Sequence, residues 1–239
     1  MQLTHITTIE ASLELLTGLR IGAGDSEMHI GGVDNTVIKH PHTQAPYIPG
    51  SSLKGKIRSL LEWRSGAVQP GPLDFGQLGK ASDSAQKSRV LHILQLFGVG
   101  GGDNLDEEQA KLIGPTRLAF WDCALDEQWA EDIRADNLPL TEIKSENRID
   151  RIKGTAEHPR QTERVPAGAS FIFRLSFKRL AGDDEKLLDT ALAGLKLLEL
   201  DSLGGSGSRG YGKVRFAGLK IDSADATDRF AAIQPFNLA

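Results

Sequence analysis

The sequence predicts an α+β fold with a βαββαβ core and long insertions. Three observations carry that prediction. Residues 169–178 place Phe171, Phe173, Leu175 and Phe177 at every second position, the period of a strand with one buried face. Residues 53–61 place Leu53, Ile57, Leu60 and Leu61 at i, i+4, i+7 and i+8, the apolar stripe of a helix. Residues 184–200 repeat that stripe with Leu188, Ala191, Leu192, Leu195 and Leu198.

The remaining elements follow in order. Residues 4–16 alternate Ile9, Ala11, Leu13 and Leu15 against polar neighbours and read as the first strand. A Gly-rich polar loop spans 22–35, and 36–39 read as a short strand that Pro41 stops. Pro49–Gly50 precedes the first helix, with Ser51 or Ser52 as its expected N-cap. Residues 65–114 are rich in Gly, Pro, Ser and Asp and read as an irregular, lid-like insertion with one short helix near 87–96. A strand is expected at 116–123, from the alternation of Leu118 and Phe120. Residues 124–168 are polar and charged, and 141–168 within them read as a projecting, thumb-like hairpin. After the second helix a Gly-rich loop leads into a last strand at 213–220. Without the insertions this is the element order of a ferredoxin-like (RNA-recognition-motif-like) fold, which by itself assigns no function.

Composition excludes several classes. The chain of 239 residues has one cysteine, Cys123, so neither a disulfide framework nor a cysteine zinc site can form within it. It contains no run of eighteen apolar residues, and residues 1–16 alternate rather than forming a signal peptide, which fits a cytoplasmic protein without membrane contact. The net charge of −4 hides a strong pattern. Residues 39–64 carry five Lys/Arg against one acid, and 141–180 carry nine against five. Residues 101–142 carry eleven acids against three basic residues. One basic and one acidic face suit a subunit that binds RNA on one side and stacks on copies of itself, although ordinary surface charge produces the same counts.

Four segments can carry chemistry. At the start of the first helix, free N–H groups beside Ser51 and Ser52, with Lys54 and Arg58 four residues apart, suit successive phosphates. A capped amphipathic helix with a solvated basic face has the same spacing. Lys56 adds positive charge on the same helix. The loop 204–212 holds five glycines in nine residues, including Gly205, together with Ser208, Arg209 and Tyr211. It offers close backbone approach, a phosphate fork and a stacking ring, but no Gly-Lys-Ser/Thr, so it is not a P-loop. In Gly31-Gly32-Val33-Asp34-Asn35, Asp34 can hold a divalent cation with water or orient a 2′-hydroxyl, and loops also favour Asp for turns alone. In 146–167, Arg148, Arg151, Lys153, Arg160 and Arg164 surround Ile149 and Ile152, a pattern that suits a wedge against stacked bases or a mobile surface loop. His29, His40 and His42 match no zinc spacing, and no Ser/His/Asp set is readable.

Taken together, GGVDN (31–35), IPGSSLKGKIRSLLE (48–62), GPTRLAFWDC (114–123) and LGGSGSRGYGKVRF (203–216) resemble the RAMP superfamily of CRISPR proteins. More narrowly, they resemble the backbone subunit of type III-A (Csm) effector complexes. The resemblance implies a single RAMP domain over 1–239, present in several copies along a guide crRNA in a filament with other Csm subunits. It implies that Lys54, Arg58 and Arg209 grip the guide, with Lys56, Arg20 and Tyr211 in support. The hairpin around 148–164 would push between guide–target base pairs. Asp34 would promote cleavage of single-stranded target RNA with a divalent cation, Mg²⁺ or Mn²⁺. A zinc site found in some such proteins does not transfer, because Cys123 stands alone. Two further readings are a scaffold that binds RNA without cutting, and a RAMP endoribonuclease that processes precursor guide RNA. The latter commonly uses a histidine, and only His29 lies in a comparable loop. A ferredoxin-like metabolic enzyme or structural protein without RNA is the reading from a different class.

Overall fold

The computed structural model describes residues 1–24, 35–100 and 104–237. In chain order its elements are β1 (Leu3–Leu15), β2 (Tyr47–Ile48), α1 (Gly50–Ser65), α2 (Gln77–Lys80), α3 (Ser84–Phe97) and α4 (Glu107–Ile113). There follow β3 (Leu118–Phe120), β4 (Cys123–Ala124), α5 (Glu127–Ala135), β5 (Glu142–Ile149), β6 (Ala156–Arg164) and β7 (Ser170–Leu180). The chain closes with α6 (Lys186–Leu200), β8 (Val214–Ile221), β9 (Ala224–Asp225) and α7 (Thr227–Ala231).

The main sheet runs β3-β7-β1-β8-β9, with β1 antiparallel to both of its neighbours. Register follows the period of two. Leu13 faces Phe171 on one side and Phe216 on the other, and Ile9 faces Leu175. One sheet face is therefore apolar, and α1, α3 and α6 cover it. Phe173 and Phe216 meet edge to face at 4.8 Å there. The opposite face carries charge pairs, Arg174 with Glu10 at 2.8 Å and Arg215 with Glu14 at 2.5 Å. This is an α+β architecture around an antiparallel sheet.

Three expectations need correction. First, residues 65–114 hold more helix than expected: the helix foreseen near 87–96 extends over α3, and α2 and α4 join it. Asp83 caps α3 by accepting the Gln86 N–H at 2.7 Å, and Asp106 with Gln109 forms a capping box for α4. Val90, Ile93, Leu94, Leu96 and Phe97 then join the core. Second, the strand expected at 116–123 divides. Β3 pairs with β7, whereas β4 leaves that sheet to pair with β2. Between them Asp122 turns toward α1 and accepts the Gly50 N–H at 2.7 Å. Third, neither Ser51 nor Ser52 caps α1. Pro49 holds the N-cap position without a side-chain bond, and Asp122, remote in sequence, supplies the anion. Residues 36–39 make only isolated bridges, Val37 with Gly22 and Lys39 with Pro46.

Candidate nucleic-acid interface

Asn35 is the described residue bonded to Asp34, and its surroundings define the site. Asp34, the candidate catalytic residue, and His29 lie outside the described residues. The Asn35 side-chain oxygen accepts from Arg20 Nη2 at 2.9 Å. Its carbonyl accepts the Glu163 N–H at 2.9 Å, which ties it to the base of the β5–β6 hairpin. Glu163 continues the tie. Its carboxylate accepts the Val37 N–H at 2.9 Å, Lys39 Nζ at 2.5 Å and Thr141 Oγ1 at 2.7 Å. Burial opposes ionisation of Glu163, but Lys39 and these donors prevail and hold its carboxyl below the usual range.

The Gly-rich loop sits against the same place. The Gly205 N–H donates to the Arg20 carbonyl at 2.9 Å. Gly204 and Gly212 have φ of 74° and 70°, and a Cβ on either would collide with a backbone carbonyl, that of Arg20 or of Leu203. These two glycines therefore serve close packing of the loop on its own chain. Ser208 and Arg209 are exposed at the outer turn. Arg209 Nη1 pairs with Glu146 Oε2 at 3.0 Å, and its Nη2 donates to Ser206 Oγ at 2.7 Å.

Tyr211 does not offer a stacking surface. It is fully buried, its hydroxyl donates to Glu146 Oε1 at 2.9 Å, and its ring lies near Lys144 Nζ at 4.5 Å and the Arg164 guanidinium at 4.9 Å. Burial and the neighbouring Glu146 push its phenol pKa up, so it stays protonated as a donor. Glu146 is opposed by burial but held below the usual carboxylate range by Tyr211, Arg209 and Lys144.

On α1 the expected phosphate pair separates. Arg58 Nε binds Glu62 at 2.7 Å and its Nη2 donates to the Leu73 carbonyl at 3.0 Å. Its side chain is only 13% exposed, so Arg58 anchors the 65–114 segment instead of facing a ligand. Lys54 is half-buried and makes no ion pair among the described residues. Lys56 pairs with Asp201 at 2.6 Å, which joins α1 to the C-terminal end of α6. Ser51 is exposed and Ser52 half-buried on the first turn.

Arg148, Arg151 and Lys153 stand on the distal hairpin, all exposed, beside Ile149 and an almost fully exposed Ile152. The Asp150 carboxylate sets this tip by accepting the N–H groups of Ile152 and Lys153 at 2.8 and 2.9 Å. The structure thus joins Arg20 and the hairpin base at Asn35, packs Gly205 on the Arg20 carbonyl, pairs Arg209 with the hairpin through Glu146 and Lys56 with Asp201, and leaves Arg148, Arg151 and Lys153 apart. Sequence reasoning missed Glu146, Glu163 and Asp122, whose partners lie far along the chain. Burial pushes the Cys123 thiol up to about 12, so it is inert. Among the described residues no group of three or more His, Cys, Asp or Glu could hold a metal ion, and no helix is long and apolar enough to cross a membrane.

Residues 12–215 match the model of the RAMP superfamily. Proteins described as CRISPR system Cms endoribonuclease Csm3 are similar over most of the chain. The one from Streptococcus thermophilus is 42% identical over 218 residues, covering 88% of this chain and 86% of that protein. The one from Methanothermobacter thermautotrophicus is 40% identical over 212 residues, covering 86% and 81%. Among solved structures, a Csm3–Csm4 subcomplex of the type III-A CRISPR-Cas interference complex has a TM-score of 0.54 at 29% identity, covering 92% of this chain and 80% of that one. A type III-B Cmr-beta complex bound to cognate target RNA has a TM-score of 0.55 at 16% identity, covering 93% and 62%, a likeness of fold alone. The chain belongs to the RAMP superfamily and, within it, to the Csm3 family.

Proposed function

We propose that this chain is the backbone subunit of a type III-A CRISPR effector complex and cleaves target RNA paired with a guide crRNA. The observation that carries the reading is the clamp on Asn35. Arg20 and the hairpin base meet at the residue bonded to Asp34, and the Gly-rich loop packs on the Arg20 backbone. Its relatives named as Csm3 endoribonucleases support the activity. The strand order, with β1 between β7 and β8, supports a ferredoxin-like core.

In this reading Arg20, Lys54, Lys56 and Arg209 hold the guide backbone, with Ser51, Ser52, Gly205 and Ser208 lining its path. Arg58 and Tyr211 act from beneath, as supports. Arg148, Arg151 and Lys153 meet the guide–target duplex, with Ile149 and Ile152 against the bases. Base pairing reads sequence while the protein reads backbone and shape. Asp34, with water and RNA phosphate oxygens, would hold Mg²⁺ or Mn²⁺. A bound divalent cation supplies charge stabilisation at the phosphate under attack. Copies of the chain would repeat the site along one guide, in a filament with other Csm subunits.

The test uses assembled complex with a guide and a matching labelled RNA, with Mg²⁺ and then with EDTA, for wild type and Asp34→Ala. An evenly spaced product ladder, lost with EDTA and in the variant while target binding persists, is the expected result. Tight guide-dependent binding without a ladder in wild type would leave a scaffold.

A further inference from the structure

We infer that Glu146 is a specificity-determining residue, a built-in competitor that masks Arg209 from RNA other than the guide. The inference rests on the proposed role of Arg209 in guide binding. Arg209 is 57% exposed, so a phosphate can reach it, yet one edge of its guanidinium already binds the Glu146 carboxylate at 3.0 Å. That carboxylate is itself fixed. The buried Tyr211 hydroxyl donates to its other oxygen at 2.9 Å, and Lys144 Nζ lies 3.6 Å away. Glu146 therefore does not swing away as a free surface glutamate would.

Phosphate attraction independent of sequence governs the binding of arbitrary RNA, and each masked cation subtracts one contact from it. An arbitrary strand must separate Arg209 from Glu146 for a single phosphate contact. A guide that engages Arg20, Lys54 and the loop backbone together offsets the same loss across many contacts. The masking costs both the same free energy, but a guide held at many contacts stays bound after that loss, whereas a weakly held arbitrary strand does not. It also ties the Gly-rich loop to the hairpin, since Glu146 belongs to β5.

The full-length chain is titrated with a labelled single-stranded RNA of unrelated sequence at several salt concentrations, and guide retention is measured in the assembled complex. The proteins are wild type, Glu146→Gln, Arg209→Ala and the double variant. Gln keeps an acceptor for Tyr211, so an unchanged melting temperature is expected. Glu146→Gln should bind the unrelated RNA roughly two- to fivefold more tightly, the scale of an exposed ion pair. Its salt slope should steepen by about 0.7, one added phosphate contact on a single strand. The gain should vanish in the double variant. If Arg209→Ala weakens guide retention but Glu146→Gln binds unrelated RNA no better than wild type, the masking is overturned and the role of Arg209 stands. A gain that survives in the double variant also overturns it. If Arg209→Ala retains guide as wild type does, the reading of Arg209 fails and the inference fails with it.

Discussion

Lys54 and Arg58 lie one helical turn apart on α1, with the same charge and opposite surroundings. Arg58 is held by Glu62 and the Leu73 carbonyl, and the Glu62 side chain is itself only 8% exposed. Removing the guanidinium leaves a buried carboxylate without its counter-charge. Arg58→Ala should therefore destabilise the fold by about 3 kcal/mol, read as a lower midpoint in urea. Lys54→Ala should stay within roughly 0.5 kcal/mol of wild type and instead weaken RNA binding. Equal stability losses for the two would contradict this division of roles. The sequence shows that both residues are cations four apart, but it cannot show that one meets a carboxylate and a distant carbonyl. The burial of Tyr211 is hidden from the sequence for the same reason. An aromatic among glycines looks available, and only the packing of the hairpin base reveals it as buried.

Elements were legible wherever their period was long and regular. The stripe of Leu53, Ile57 and Leu61 and that of Leu188, Leu192 and Leu195 both lie buried in the core, as do the four alternating residues of β7. Within 65–114 the helix near 87–96 was legible, but α2 and α4 were not, because they are short and their stability comes from caps and packing. The division of the 116–123 strand was also hidden, since it depends on Asp122 reaching a helix end 72 residues away. That contact predicts a measurable cost. The carboxylate both accepts the Gly50 N–H and sets a negative charge at the N-terminus of α1, where no acidic residue lies in the first turn. Asp122→Ala should lower stability by about 1 kcal/mol, and Asp122→Asn, which keeps the acceptor, by less. Chemical denaturation of the three proteins decides it. An Asn variant as weak as Ala would assign the effect to charge rather than to the hydrogen bond.

At the scale of the molecule, the chain separates what folds from what reaches outward. The hydrophobic core draws on β1, β7, β8 and on α1, α3 and α6, but takes no residue from 142–164. The hairpin is attached at its base, where Thr162 and Glu163 are buried and Arg164 lies over Tyr211. Beyond Glu146 and Arg160, which face each other across the two strands, the side chains are almost all exposed. Replacing 147–159 by Asn-Gly, a turn that closes a two-residue hairpin, would then remove no core contact. The shortened protein should melt within about 2 °C of wild type, because surface changes away from packed features have small effects. It should still assemble on a guide through α1 and the Gly-rich loop. What it loses is the cluster of Arg148, Arg151 and Lys153 around Ile149 and Ile152, so regular spacing of target cleavage should degrade while guide retention persists. Scanning calorimetry and a product ladder on the same preparation test both halves. A large fall in melting temperature would mean that the hairpin helps hold the fold. An unchanged ladder in a stable variant would mean that its exposed tip is not what sets the interval between cuts.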